Sequence, residues 1–497
     1  DKLEAGSTIL SADGEVHRIS KEIAEQFRPG DRLITSSRDG LLLIPEVVSD
    51  TVKNVIDKSV KAFDELATAS DEQIVSFFCK FADALETNKI WDKIKETNRI
   101  DVEQAQSNGR STTRLLVSED MRSNMVTGLR GWAETPTQRH AILEEVSHEN
   151  FQIQLIGAAL GIVGFVFEGR PNVLADACGV LRGGNATIFR IGSDALRTAR
   201  TIMETAVIPS LRDSALPADA VALIDNPSHA AGWSLFLDDR LALAVARGSG
   251  PAVDQLGDLA QSVGTPVSLH GTGGAWIVTS DTTLPESLSR IVARSLDRKV
   301  CNTLNTCCIP ASKAEHLVPA LMKGLKVAAK KRNQTDYKIH IEESGQKYLP
   351  NNLFNENVSI LRPKGIVNEK CAELIELNDL GKEWEWEDNP EITLIIVESV
   401  NHAIELFNTY SPRLVASLIT EDNAEAEYFY ETIQSPFVGD NHTRWVDGQF
   451  ALSKPELGLS NWANGRLFSR GGILTGDSVY TVRTRYVTHH KTRQNTY

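Results

Sequence analysis

Cys301 lies in DRKVCNTLNTCC, just behind a helical run, ESLSRIVARSLDRKV, that ends in bases. A thiol beside Arg298 and Lys299 would be drawn toward the thiolate, the form that attacks a carbonyl carbon. The bland alternative is a buried cysteine used as a small hydrophobe, the common fate of intracellular cysteines. Cys307 and Cys308, followed by Ile309-Pro310, fit a buried strand.

Three further segments end apolar strands. Glu168-Gly-Arg-Pro-Asn172 follows a strand at 160–167, and an Asn amide there can donate to an oxyanion. The same residues also make an ordinary turn. Arg190-Ile-Gly-Ser-Asp194 closes one strand and opens a helix. Free amides at that helix start, together with Arg190, would suit a phosphate or an adenosine ribose. Ser193 as a simple N-cap is the competing reading. Arg247-Gly-Ser-Gly250 repeats the arrangement. Three such strand ends in one sheet favour a nucleotide site, although no G-x-G-x-x-G fingerprint is present.

These residues need a scaffold, and the sequence describes one. Residues 1–47 read as short strands with hairpin dipeptides at Asp13-Gly14 and Asp39-Gly40. From 48 to 134 apolar residues recur at helical spacing, with Ser49, Ser70-Asp71 and Ser118 as start signals. From about 152 apolar strands alternate with amphipathic helices, which predicts a doubly wound parallel sheet. A second α/β run covers about 275–435, and the tail is β-rich. The acidic-aromatic patch EWEWED (383–388) has no role in this reading.

Composition narrows the function. Lys+Arg 52 against Asp+Glu 66 gives a net charge of −14 over 497 residues, so nucleic acid and anionic membrane are poor partners. The longest apolar run, 155–167, is too short to span a bilayer. Six cysteines without a C-x-x-C pair argue against a disulfide framework and a zinc site. The start, DKLEAGSTIL, lacks a signal pattern, and cytoplasm is the expected compartment.

Taken together, the segments resemble the aldehyde dehydrogenase superfamily and, within it, the γ-glutamyl phosphate reductases, from about 48 to about 461. LGIVGFVFEGRPNVLADA is similar to the family segment containing E-x-R-P-N-V. GNATIFRIGSDA resembles G-N-A-V-I-L-R-G-G-S-E-A, VARGSG the I-P-R-G-G loop, and KVCNTLNT the G-V-C-N-A-x-E-T loop. FNTYSPRLVASLITED is similar to I-N-T-Y-G-S-x-H-x-D-x-I-x-T-E-D, and TRWVDG at 443–448 to T-R-F-A-D-G.

The resemblance implies Cys301 as nucleophile, with Asn172 and the Cys301 backbone N–H holding the oxyanion. It implies cofactor contacts at Arg190, Ser193, Gly248, Ser249 and Glu387, with NADPH expected and NADH as the second choice. Arg170, Arg444 and His270 would meet the substrate, and no metal is implied. It further implies a place in amino-acid biosynthesis, that of proline.

The sequence also departs from the family. Where hydrolytic relatives keep a Glu base, this chain has about Leu269, and no acid lies in 262–280. Asn305 replaces the Glu of the cysteine motif. GTGGAW stands where the family has G-D-G-x-C-H, so His270 just before it remains but an Asp and a His are lost. QFALSKPELGLS keeps only Glu456 and Gly458 of its loop, and the family's ending is only echoed by FSRGGILTGDSV.

The expected fold is therefore α/β and aldehyde dehydrogenase-like. Residues 1–47 form a β appendage and 48–268 a doubly wound cofactor domain, with 135–151 as an oligomerisation strand. An α/β catalytic domain follows at 269–435, and 436–497 is a return segment and β oligomerisation tail. The expected reaction is NAD(P)H-dependent reduction of an acyl phosphate to a semialdehyde in a homo-oligomer, dimer or tetramer. An acyl-CoA reductase using the same cysteine, or a binding protein that keeps the fold without turnover, are the alternatives.

Overall fold

The helical region begins one turn before its first serine signal. The helix Glu46–Leu66 starts after Pro45, and the Glu46 N–H donates to Asp31 Oδ1 at 2.9 Å, so Ser49 lies inside the helix rather than capping it. The helix Asp71–Glu86 opens on a complete capping box, Ser70 with Gln73. Ser118 caps Glu119–Glu134 by accepting from the Met121 N–H at 3.1 Å.

The computed structural model describes residues 3–488 apart from 12–13, 37–39, 109, 111, 113–114, 363–364, 447–454, 456–458, 461, 464–465, 468–472 and 475. It divides into two units. The first comprises Asp1–Gly271, Gly448–Ala463 and Ile473–Tyr497, and the second Thr272–Asp447 and Asn464–Gly472.

The first unit carries a five-stranded parallel sheet. Its order is Val267–His270, Leu241–Arg247, Ile162–Phe167, Ala186–Ile191 and Val221–Leu223. The chain winds outward from Ile162–Phe167 in one direction and returns to its other side with Leu241–Arg247. The reversal of strand order therefore falls between these two, where open α/β sheets take ligands at their carboxyl ends. Every residue of Ile162–Phe167 and Ala186–Ile191 is buried, as expected of strands covered on both faces.

The apolar run at 155–167 falls in two strands, Phe151–Ala159 and Ile162–Phe167. Gly161 has φ +147°, and a Cβ there would sit 2.6 Å from that of Ala242. Asn185 Oδ1 accepts from the N–H groups of Leu160 and Gly161 at 2.7 and 3.1 Å, which satisfies the break. The preceding strand, Phe151–Ala159, instead joins an antiparallel sheet between Tyr480–Thr488 and Ile142–Ser147. Near the N-terminus two antiparallel pairs form as expected, Thr8–Leu10 with Val16–Arg18 and Arg32–Ser36 with Gly40–Ile44. The helix Lys21–Gln26 between them went unread; Ser20 caps it by accepting from the Ile23 N–H.

The second unit holds a seven-stranded parallel sheet. Its order is Ala372–Leu374, Lys338–Ile341, Glu391–Val397, Leu304–Pro310, Ala275–Thr279, Val415–Ile419 and Phe437–Gly439. A hairpin, Asn357–Arg362 with Gly365–Lys370, adds charge to the amino end of this sheet. Arg362 reaches Glu369 at 2.6 Å and Glu391 at 2.8 Å, and His340 Nε2 lies 2.7 Å from Glu391. Hydrogen bonding to Arg362 holds the Glu369 carboxyl down to about 2. The layering matches the α/β expectation for both regions.

Candidate active site

In the first unit the strand-end turns are fixed by backbone hydrogen bonds. Glu168 N–H donates to the Arg247 carbonyl at 3.2 Å, Gly192 N–H to Phe167 at 3.0 Å, and Gly248 N–H to His270 at 3.3 Å. Glycine is needed where the turns meet. A Cβ on Gly192 would lie 2.8 Å from the Gly169 nitrogen, and one on Gly248 would lie 3.3 Å from Glu168 Cγ. The segments holding Arg170, Asn172, Arg190, Ser193, Gly248, Ser249 and His270 thus share one sheet end, at the reversal of strand order.

Their side chains are partly committed. Asn172 donates one amide N–H to Asp176 Oδ2 at 2.8 Å, and Arg170 is half-buried. Arg190 is buried and donates to the Pro227 and Ser228 carbonyls at 2.7 and 3.0 Å, which ties its strand to the start of the helix His229–Phe236. Burial lowers the Arg190 pKa from its ordinary value. Arg190 Nε and the Ser228 hydroxyl are buried without a hydrogen-bond partner among the described residues. Such orphaned donors, beside exposed Ser193 and Ser249, fit a polar ligand at this sheet end.

Ser193 is not an N-cap. The helix Leu196–Ile202 begins three residues later, after Ala195. The Thr198 N–H is satisfied from elsewhere, by Asp101 Oδ2 at 2.8 Å. The free amides expected at this helix start are therefore one fewer. Ser249 does take the N-cap conformation before Gly250–Ser262, and its side chain makes no capping bond. Leu269 points into the core, where a Cβ on Gly257 would meet its Cδ1 at 2.5 Å. A carboxylate at 269 would be buried, so this position does not stand in for a water-activating base.

In the second unit the cysteine loop joins the helix Pro285–Ser295 to the strand Leu304–Pro310. Cys301 is half-buried, whereas Cys307 and Cys308 are fully buried in the strand. Burial pushes the Cys307 thiol up to about 12 and raises Cys308 well above its ordinary value, so neither supplies thiolate.

The loop closes on itself through Thr303, whose hydroxyl accepts from the Val300 N–H at 2.9 Å and donates to the Arg298 carbonyl at 2.6 Å. The Cys301 carbonyl accepts from the Gly274 N–H at 2.7 Å. Distant side chains hold it from two directions. Glu383 pairs with Lys299 and accepts the Gly273 N–H. Arg444 donates to Asp297 at 2.7 Å and to Asn302, whose amide donates to the Val446 carbonyl at 2.7 Å. Lys299 is thus not an unopposed charge beside the thiol.

Asn305, in place of the family's Glu, pins the same acidic-aromatic segment. It donates to the Lys382 carbonyl at 2.8 Å and accepts from the Trp384 N–H at 2.9 Å. Glu383 was missed from the sequence; the only signal was the EWEWED patch, which carried no spacing to Lys299. Glu387 lies in that patch, half-buried, with its carbonyl accepting from Arg332. Glu456 and Gly458 lie outside the described residues.

Among the described residues no group of His, Cys, Asp or Glu could hold a metal ion, and no helix is long and apolar enough to cross a membrane.

No family model matches the chain. It is 26% identical over 426 residues to the gamma-glutamyl phosphate reductase of Geobacillus sp. (strain WCH70), covering 83% of this chain and 92% of the relative. It is 29% identical over 400 residues to the reductase of the same name from Limosilactobacillus reuteri (strain DSM 20016), covering 79% and 87%. The crystal structure of gamma-glutamyl phosphate reductase from Thermotoga maritima superposes with a TM-score of 0.73 at 20% identity, over 90% of this chain and 100% of that one. An acetylating aldehyde dehydrogenase from Geobacillus thermoglucosidasius gives 0.62 at 13% identity, over 90% and 99%. The chain therefore has an aldehyde dehydrogenase-like fold and groups by sequence with oxidoreductases named gamma-glutamyl phosphate reductase.

Proposed function

We propose that this chain reduces an acyl phosphate, γ-glutamyl phosphate or a close relative, to the semialdehyde. The observation that carries the reading is the position of Cys301. Of the three thiols in 301–308 it alone is outside the strand and partly exposed, and it sits in the motif shared with the reductases. Its thiolate attacks the acyl carbon, a C–S bond forms, and the C–O bond to phosphate breaks. The acyl group is then a thioester on Cys301.

Asn172 and the Cys301 N–H are the donors assigned to the oxyanion. Asn172 has a second amide N–H besides the one given to Asp176. Arg190, Ser193, Gly248, Ser249 and Glu387 are assigned to a nicotinamide cofactor, and the orphaned Arg190 Nε and Ser228 Oγ support that placement. When bound, the reduced nicotinamide supplies the hydride that releases the aldehyde. The positive charge of Arg190 favours NADPH over NADH. Arg170 and His270 are assigned to the substrate. Arg444 is better assigned to the cysteine loop, since its guanidinium already serves Asp297 and Asn302.

The reaction run backwards tests the reading. Glutamate-5-semialdehyde and NADP⁺ are supplied with phosphate, with CoA or with neither, and NADPH absorbance is followed. Phosphate-dependent turnover supports the proposal. CoA-dependent turnover replaces it with an acyl-CoA reductase, and cofactor binding without thioacylation replaces it with a binding protein.

A further inference from the structure

Glu383 makes contacts that the proposed reaction does not use. Its carboxylate pairs with Lys299, two residues before Cys301, and accepts the Gly273 N–H. Both side chains are largely buried, 9% exposed for Lys299 and 14% for Glu383. A Cβ placed on Gly273 would lie 2.7 Å from Cys301 Cα and 2.8 Å from Glu383 Oε1, so one point is hemmed in by both. The segments Gly273–Gly274, 299–303 and 382–384 therefore converge around a single carboxylate, and Asn305 holds the last of them in register.

We propose that Glu383 is a positioning residue for Cys301, which it serves in two ways. It fixes the loop through Lys299 and the Gly273 N–H, and it offsets the Lys299 charge beside the thiol. Among the described residues of this unit, the charged and titratable groups around the loop include Glu385, 3.8 Å from Lys299, exposed Arg298, and the Arg444–Asp297 pair with Arg294 and His442 beside it. The Arg444–Asp297 pair meets the loop at Asn302, whereas the Lys299–Glu383 pair also takes the Gly273 N–H, the point hemmed in by Cys301. The inference rests on the reading of Cys301 as the nucleophile.

The two halves can be separated in the full-length chain. Alkylation of Cys301 by iodoacetamide is measured against pH by mass spectrometry of its peptide, alongside phosphate-dependent semialdehyde oxidation. Glu383→Gln removes the carboxylate that pairs most closely with Lys299 and leaves Glu385 at 3.8 Å, so the alkylation midpoint should fall. Turnover should nevertheless drop roughly tenfold or more, because a misplaced nucleophile loses its near-attack geometry.

Lys299→Met leaves the carboxylate unopposed, and the midpoint should rise. The double variant should return the midpoint toward wild type while turnover stays low. A variant that failed to fold would give one free-cysteine midpoint in every case, so opposite shifts exclude that explanation. Unchanged midpoints in both single variants, or turnover unaffected by Glu383→Gln, would overturn the inference. Cys301→Ser with retained activity would instead overturn the reading beneath it.

Discussion

The strand-end turns of the first unit and the cysteine loop of the second meet the same requirement by opposite means. At 168–172, 190–195 and 247–250 the backbone is held by hydrogen bonds to adjacent strand ends, and glycine provides the close approach. At 297–303 the backbone closes on Thr303 and on the Gly274 N–H, and the loop's side chains are held by residues 84 and 142 positions away in sequence, Glu383 and Arg444. A turn anchored by a sheet changes little when one side chain is removed. A loop anchored by two ion-paired side chains changes with either of them. The sheet-end turns are thus built for permanence, whereas the position of Cys301, the proposed nucleophile, depends on a few replaceable contacts.

The largest effect is expected at Cys301, the proposed nucleophile. Cys301→Ser should lose roughly three or more orders of magnitude in turnover, because an alkoxide is far harder to form than a thiolate. Cys307→Ser and Cys308→Ser should retain activity, since both thiols are buried and resist ionisation. Loss in either of these with retention in Cys301→Ser would move the chemistry into the strand.

Asn172 tests the sheet-anchored side. Asn172→Ala should lower turnover by about 10²–10³ with cofactor affinity unchanged, as measured by fluorescence quenching. The side chain also bonds Asp176, so Asn172→Asp makes a useful companion. It keeps the size but sets two carboxylates against each other. If cofactor affinity falls in step with turnover in Asn172→Ala, the residue serves the turn instead of the oxyanion.

Legibility in the sequence follows the same division. The helix starts at Ser70 and Ser118, the five strands of the first sheet and the burial of Cys307 and Cys308 all depend on local pattern, and all were readable. The start at Glu46 was not, because Asp31 supplies its cap from fifteen residues away. Nor was the true start at Leu196, whose Thr198 N–H is taken by Asp101. Lys299 looked like an activating base because its neighbours in sequence are basic; its partner in space is acidic. Arg444, which its motif suggested as an anion site, turns Nε and Nη1 to Asp297 and Asn302, contacts that the motif did not foretell. In each case the missing partner lies on another element, where no spacing rule reaches.

Leu269 sharpens the contrast by a smaller effect. Its side chain is 3% exposed and packs over Gly257. Leu269→Glu should cost on the order of 3 kcal/mol of stability through a buried carboxyl group, read as a lowered denaturant midpoint. It should not create hydrolysis. In the wild-type chain, aldehyde and NADP⁺ without an acceptor should yield one equivalent of NADPH per site and then stall. Sustained oxidation to the free acid would show that a base is supplied from elsewhere, with Glu168 and Glu387 as the first residues to change.

Arg190 gives the smallest effect and the finest test, because it belongs to both descriptions. It ends a sheet strand, yet it also acts as a long-range tie to the Pro227 and Ser228 carbonyls. Arg190→Ala should leave those part-buried carbonyls without their charged donor and cost about 1–3 kcal/mol of stability. If Nε also meets the 2′-phosphate, the Michaelis constant for NADPH should rise about tenfold beyond that for NADH. Arg190→Lys separates the contributions. An ammonium keeps the charge but cannot span two carbonyls and a phosphate with one planar fork. Retained NADPH preference with lowered stability would mean that charge alone selects the cofactor. Equal changes for both cofactors in Arg190→Ala would assign the residue wholly to the tie, and the 2′-phosphate would need another partner.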